Sequence, residues 1–256
     1  LISKVSYLGY FDLVPNVIKE NFMPAYSKPS LLYTTFLVFC FGLIVVVKTG
    51  FSQTANDNNE WKSLFDGKTL KGWKQSDFFK PGKSSVKDGV IILEKGSKMT
   101  GLTYDGKDFP KMNYEVSLES KRIEGRDFFC TTTFPVGDSF CSFVVGGWGG
   151  SVTGLSSIDG IDASENQTGQ GIEYKNDQWY KIRIRITDKR IETWVDKEQT
   201  VDLDTSDVKL GIRIECNVST PFGIASYDTV GAVKDIKVRN LSQAEIKEIA
   251  KKAIKK

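Results

Sequence analysis

Between Tyr180 and Thr187 the chain reads YKIRIRIT, so that Ile182, Ile184 and Ile186 alternate with Lys181, Arg183 and Arg185. A period of two places the isoleucines on one face of an extended strand and the cations on the other. Such a strand belongs in an antiparallel sheet with one buried and one solvated face. Short apolar segments recur at 86–94, 114–120, 128–134, 140–146, 190–196, 208–215, 222–227 and 233–239. The dipeptides Asp66-Gly67, Asp88-Gly89, Asp105-Gly106 and Asp159-Gly160 supply turns in which glycine tolerates a positive φ. Roughly a dozen strands with no internal helical period predict an all-β fold, a two-sheet antiparallel sandwich over residues 61–241.

The two ends follow other patterns. Leu31 to Val47 is a 17-residue apolar run, with Lys28 before it and Lys48, Gly50, Phe51 and Ser52 after it. That is the layout of a signal peptide cleaved after Ser52, or of a membrane anchor near the lower length limit for a spanning helix. A buried globular helix is the third reading, and the lack of a polar face argues against it. Cys40 does not fit a lipoprotein site, because the bulky Phe39 precedes it. Export places the main domain outside the cytoplasm, whether secreted, periplasmic or attached to a membrane through 31–47. Residues 1–22 precede the first methionine, Met23, and read as an upstream segment or fragment edge; 53–60 (QTANDNNE) reads as a linker. At the other end, Ser242 and Glu245 form a capping box, and Ile246, Ile249, Ala250, Ala253 and Ile254 make a helical stripe opposed by lysines. This basic helix over 242–256 is expected to dock weakly at the domain's end, with an anionic membrane surface as the alternative partner.

Composition removes several chemistries. The chain has no histidine, which excludes Ser-His-Asp and Cys-His catalysis and histidine-ligated zinc. Catalysis must then rest on carboxylates, Lys, Tyr, Arg, Cys or a metal with oxygen ligands. Its four cysteines form no CxxC pair. The formal charge of +3 comes from the lysine-rich tail, so no nucleic-acid partner is indicated.

Ser63 to Trp73 (SLFDGKTLKGW) resembles the opening of the 3-keto-disaccharide hydrolase family. Val86-Lys87-Asp88-Gly89-Val90, the pair Trp179–Ile182 and Arg190–Asp196, and the closing stretches Gly223–Ala225 and Asp235–Val238 resemble its later landmarks. The resemblance covers about residues 61–241 and implies a concanavalin A-like jelly roll with a carbohydrate-related role. The chain departs from the family pattern at its polar motifs. Gly125-Arg126-Asp127-Phe128-Phe129 stands where an Asn-Ser-Gly stretch leading to arginine is usual, and Phe143–Trp148 replaces a Glu-x-Gln strand. The family's His-Gly pair is absent. The scaffold motifs carry over and the polar ones do not.

Candidate site residues cluster between Arg126 and Glu173. Asp159, Asp162 and Glu165 on one polar loop could supply the acid and base of a glycosidase or sugar lyase, or oxygen ligands for a Ca²⁺ cofactor. Asx turns and solvated charges are the plain alternative. Trp148, bracketed by Gly146-Gly147 and Gly149-Gly150, is placed to stack on a sugar face, or else marks a bulge in the core. Arg126 and Asp127 could bind a substrate oxygen, or form a surface ion pair. Glu173 could complete an acid pair with Glu165. Cys130 and Cys141 would face each other in a disulfide if the hairpin turned at Pro135-Val136; otherwise they are two buried thiols. The expected function is an exported protein acting on the glycosidic bond of a carbohydrate, including a 3-keto sugar. The alternatives are a non-catalytic carbohydrate-binding module and a structural envelope domain.

Overall fold

The computed structural model describes residues 59–253. The segment 1–22, the apolar run 31–47 and most of the 53–60 linker lie outside the described residues, as does Ile254. Among the described residues no helix is long and apolar enough to cross a membrane.

The chain runs through β1 (Lys62–Ser63), β2 (Trp73–Gln75), β3 (Ser84–Lys87), β4 (Val90–Leu93), β5 (Met99–Tyr104), β6 (Tyr114–Gly125), β7 (Cys130–Val136) and β8 (Ser139–Gly147). It continues through β9 (Val152–Ser156), β10 (Gln170–Gly171), β11 (Tyr180–Thr187), β12 (Arg190–Val195) and β13 (Glu198–Asp204). A 3₁₀ helix (Ile214–Ser219), β14 (Gly223–Tyr227), β15 (Thr229–Asn240) and α1 (Gln243–Ala253) complete it. One sheet has the order β13-β12-β11-β6-β15-β4-β3, with β1 also paired to β15; the other has the order β10-β9-β8-β7-β14-β5-β2. Every pairing is antiparallel. This is the two-sheet antiparallel sandwich that the strand alternation predicts, in the jelly-roll form that the family resemblance implies.

The alternation also fixes what fills it. Ile182, Ile184 and Ile186 of β11 join Val116 and Leu118 of β6 against Phe134, Phe143, Val145, Leu155 and Ile224 from the opposite sheet, all buried in one core. On the outer face of the eight-stranded sheet the cations of β11 are not simply solvated. Glu115, 2% exposed, accepts from Arg183 at 3.2 Å and from Arg239 at 2.9 Å, and Arg185 pairs with Glu192. The Arg183 guanidinium lies 3.6 Å over the Trp194 ring.

The SLFDGKTLKGW stretch is structural. Asp66 Oδ1 accepts from the backbone N–H groups of Lys68 and Thr69, both at 2.7 Å, and Oδ2 accepts from the Thr69 hydroxyl. Gly67 takes a positive φ of 71°. The turn so formed returns Trp73 to the core, where its indole N–H donates to the Leu64 carbonyl at 2.8 Å. These bonds favour the carboxylate, with the Thr69 and Lys68 N–H groups leading, and hold the Asp66 pKa down at about 2 against an ordinary 3.8. A depressed folded pKa contributes stability that is present above the unfolded value and lost as pH falls toward the folded one. Asp66→Asn is therefore expected to flatten the acid limb of urea midpoints between about pH 4 and 2. An unchanged slope would remove this turn from the acid response.

Two strand expectations need correction. Segment 208–215 is not a strand: only Leu210 bridges, to Ile158, before the chain enters the 3₁₀ helix. It crosses the outer face of the seven-stranded sheet, where Ile212 and Cys216 pack with Phe78, Met99 and Ala225. The β7–β8 hairpin turns at Gly137-Asp138 rather than at Pro135-Val136, with Gly137 at φ 63°. Cys130 therefore opposes Val145, and Cys141 opposes Phe134. The two sulfurs project into the core from positions four residues apart along the hairpin, about 13 Å by strand rise, which is beyond disulfide reach. Burial pushes the thiols up to about 11 for Cys130 and about 12 for Cys141. Native protein at pH 8 is expected to resist alkylation at both, with full labelling only in denaturant; a native mass lighter by two hydrogens would contradict the register.

After Asn240, Ser242 Oγ accepts from the Glu245 N–H and the Glu245 carboxylate accepts from the Ser242 N–H, the reciprocal capping box. Glu245 also pairs with Arg239 at 2.8 Å, and no residue of α1 is fully buried.

Candidate functional site

On the seven-stranded sheet, residues of odd number in β7 and even number in β8 and β9 face away from the core. The register aligns them in rows. Ser156, Ser142 and Thr133 form one row, joined by Ser142–Ser156 and Thr133–Ser142 pairing. Two residues along lie Val144, Thr131 and Ala225, followed by Tyr227 beside Met99. The first row is hydroxylic and the second mostly apolar.

A hollow of about 460 Å³ lies on these rows, within the range of small-ligand sites. Its polar side is closed by the loop and 3₁₀ helix of 213–219. Asp162 accepts from Ser156 Oγ at 2.7 Å and pairs with Arg213, whose other nitrogen reaches Glu215 Oε1 at 3.3 Å. Arg213 thus stands between two carboxylates, one anchored and one half exposed. The Glu215 hydrogen bond raises the Arg213 pKa, while the Glu215 backbone N–H and then Arg213 hold Glu215 below its ordinary 4.5. Cys216 lines the same wall, and burial lifts its thiol to about 11, so it is no nucleophile. The apolar side is made by Met99, Phe128 and Tyr227. Phe128 and Tyr227 rings lie 5.5 Å apart, and Lys98 donates to the Tyr227 hydroxyl at 3.1 Å. Between the two sides, Thr131 Oγ1 is buried without a hydrogen-bond partner among the described residues.

Trp148 overhangs the hollow, 40% exposed, from the turn after β8. Gly146, Trp148, Gly149 and Gly150 all take positive φ, at 71°, 48°, 90° and 111°. At Gly150 a Cβ would sit 2.6 Å from the Arg126 carbonyl oxygen, so the turn packs directly on the start of the hairpin. Asp127 locks the contact: Oδ2 accepts from the Gly149 N–H at 3.1 Å and Oδ1 from the Phe128 N–H at 2.8 Å. Beneath both lies Arg122, 6% exposed. It donates to Tyr174 O at 2.6 Å, to Asn176 Oδ1 at 2.8 Å, and more weakly to the carbonyls of Asp127 and Gly150. Burial lowers its pKa.

The loop carboxylates therefore separate. Asp162 reaches the hollow's wall through Ser156 and Arg213. Asp159 turns away, at φ 53°, and accepts from the Lys209 N–H at 2.7 Å. Glu165 and Glu173 are exposed and do not line the hollow, so they form no acid pair there. Among the described residues no three acidic or cysteine side chains stand close enough together to hold a metal ion. Of the hairpin pair, Asp127 lines the hollow and Arg126 is exposed outside it. Lys98, Arg213 and Glu215 join the wall from segments that no local sequence pattern connects with Trp148. For Arg213 and Glu215 the alternation in VKLGIRIE imitates a strand and conceals a crossing loop.

No curated protein matches the chain in sequence. Among solved structures, it is similar to a candidate glycosyl hydrolase from Parabacteroides distasonis ATCC 8503, at 13% identity and TM-score 0.46, covering 72% of this chain and 95% of that one. It is also similar to the carbohydrate-binding module CBM66 from Bacillus subtilis, at 7% identity and TM-score 0.44, covering 66% and 96%. The Crh5 transglycosylase in complex with NAG gives 13% identity and TM-score 0.49, covering 73% and 85%. A family model described as "3-keto-alpha-glucoside-1,2-lyase-like domain" matches residues 60–239, nearly the whole sandwich. The chain therefore belongs to the 3-keto-alpha-glucoside-1,2-lyase-like family, a carbohydrate-related jelly roll.

Proposed function

We propose that the hollow under Trp148 binds a 3-keto-glucoside and eliminates its C1 substituent. The observation that carries the reading is Arg213 held between Asp162 and Glu215 on the wall of a cavity that also has an exposed tryptophan and an unpartnered buried hydroxyl. A ketone at C3 acidifies the C2 proton. Glu215, ionised at neutral pH, takes that proton, and negative charge develops on the C3 oxygen, where the Arg213 guanidinium stabilises it. The electron pair then forms the C1=C2 bond as the C1–O bond breaks. The leaving oxygen keeps the bonding pair and takes up a proton. Asp162 fixes the Arg213 fork, and Trp148 offers its face to the C–H side of the sugar ring. The apolar run at 31–47 supports the further proposal that the domain works outside the cytoplasm, which cell fractionation tests.

Release of nitrophenolate from 4-nitrophenyl 3-keto-α-glucoside tests the reaction, with an absorbing enone-type sugar expected as co-product. Saturable binding without release, at high enzyme concentration, would select a carbohydrate-binding module instead.

A further inference from the structure

The hollow has two chemically different halves, and the elimination uses only one. Carboxylates, guanidinium and serine hydroxyls sit on the row of Ser142 and Ser156. Beyond that row lie Val144 and, farther along, Met99, Phe128 and Tyr227, with no carboxylate among these lining residues except Asp127, whose two oxygens are engaged by backbone N–H groups. A second sugar would bring several hydroxyls to this half and find few partners for them, which costs binding energy. A flat apolar group would instead cover Val144 and Met99 and meet the tilted Phe128–Tyr227 pair edge-on. At the lip, Lys98 spends one N–H on the Tyr227 hydroxyl and lies 5.6 Å from that ring; its other two donors have no hydrogen-bond partner among the described residues, the nearby Asp228 carboxylate being paired with Lys95 at 2.7 Å. Those donors lie beside the aromatic pair, where an anionic substituent on such a group would pair with them.

We infer that this half of the hollow is a leaving-group subsite for an aromatic aglycone with an anionic substituent, of the hydroxybenzoate class. The inference rests on the lyase reading for the sugar side and adds the substrate class. It also gives Thr131 a role: its unpartnered hydroxyl stands between the halves, where the glycosidic oxygen would cross.

The test compares 3-keto-glucosides carrying phenyl, 4-carboxyphenyl or glucosyl at C1. A phenolate leaves faster than an alkoxide whatever the protein does, so the comparison is made on KM and on competitive inhibition. The expected result is a KM for the phenyl compound at least tenfold below the glucosyl one, and a further severalfold gain for 4-carboxyphenyl. That gain disappears in Lys98→Met and in high salt. Tyr227→Ala should raise KM for both aryl substrates at least tenfold and by more than it raises the glucosyl value, so that the aryl preference is lost. Free 4-hydroxybenzoate should inhibit competitively and quench tryptophan fluorescence. Turnover with the glucosyl compound preferred, and no 4-hydroxybenzoate binding, would overturn the subsite and leave the lyase standing. No turnover of any compound, with 4-hydroxybenzoate still bound and Tyr227→Ala abolishing that binding, would uphold the subsite and sink the lyase. Absence of both signals would overturn both.

Discussion

Replacing Glu215 by glutamine is expected to lower kcat on a 3-keto-glucoside by about 10²–10⁴-fold, the usual contribution of a positioned general base. The change is nearly isosteric, and the side chain is 51% exposed with Arg213 as its only side-chain partner among the described residues. Folding should therefore be unaffected, and KM should move little, because the proton is transferred only in the transition state. The pH profile supplies an independent reading. Glu215 must be ionised to act, so activity should fall as pH drops through its pKa. Its own backbone N–H and Arg213 hold that pKa below 4.5, which places the acid limb below this value and leaves neutral pH on a plateau. A Glu215→Gln variant with wild-type kcat would move the base elsewhere on the wall, with Asp162 first in line.

Arg122→Met should be the most disruptive single change near the site, costing about 2–4 kcal/mol from the carbonyl groups it would leave without a donor. For a domain of this size that corresponds to a fall in Tm of about 5–15 °C. The guanidinium joins the segments around Asp127, Gly150 and Tyr174–Asn176. A lysine has no planar fork to span them, so Arg122→Lys should recover only part of the loss. Because Trp148 hangs from one of those segments, both variants should also shift tryptophan emission and raise KM before the fold is lost. A thermal midpoint within 1 °C of wild type would show that water replaces the guanidinium at this position.

The fold was legible because its signal is periodic. Residues such as Ile182 to Ile186 declare their faces locally, and Asp88-Gly89 declares its turn by the positive φ that both residues adopt. The site was legible only where one segment carries it. The glycines around Trp148 announced an exposed ring, and Asp162 was found because it neighbours turn residues. Arg213 and Glu215 meet Trp148 only through strand order, which no local pattern encodes. Arg122 was hidden for a related reason: it lies past the 114–120 segment, and although alternation in β6 puts it on the inward face with Leu118 and Ser120, nothing local shows that three loops close over it. The disulfide expectation failed on arithmetic, because moving the turn from 135–136 to 137–138 slides every cross-strand pair.

The last strand of the sandwich is among its most connected. β15 lies between β6 and β4 and also holds β1, so that Lys62 is paired with Val238. The first and last strands of the domain are thus hydrogen-bonded neighbours. During synthesis no native eight-stranded sheet can close until residues 229–240 have left the ribosome, and β6 waits with an open edge until then. Assembly through such distant pairings is slow, and the waiting edge is open to other chains. The nascent chain must therefore be kept apart from its neighbours until synthesis is nearly complete, and a chain truncated before Thr229 would never leave that unpaired state.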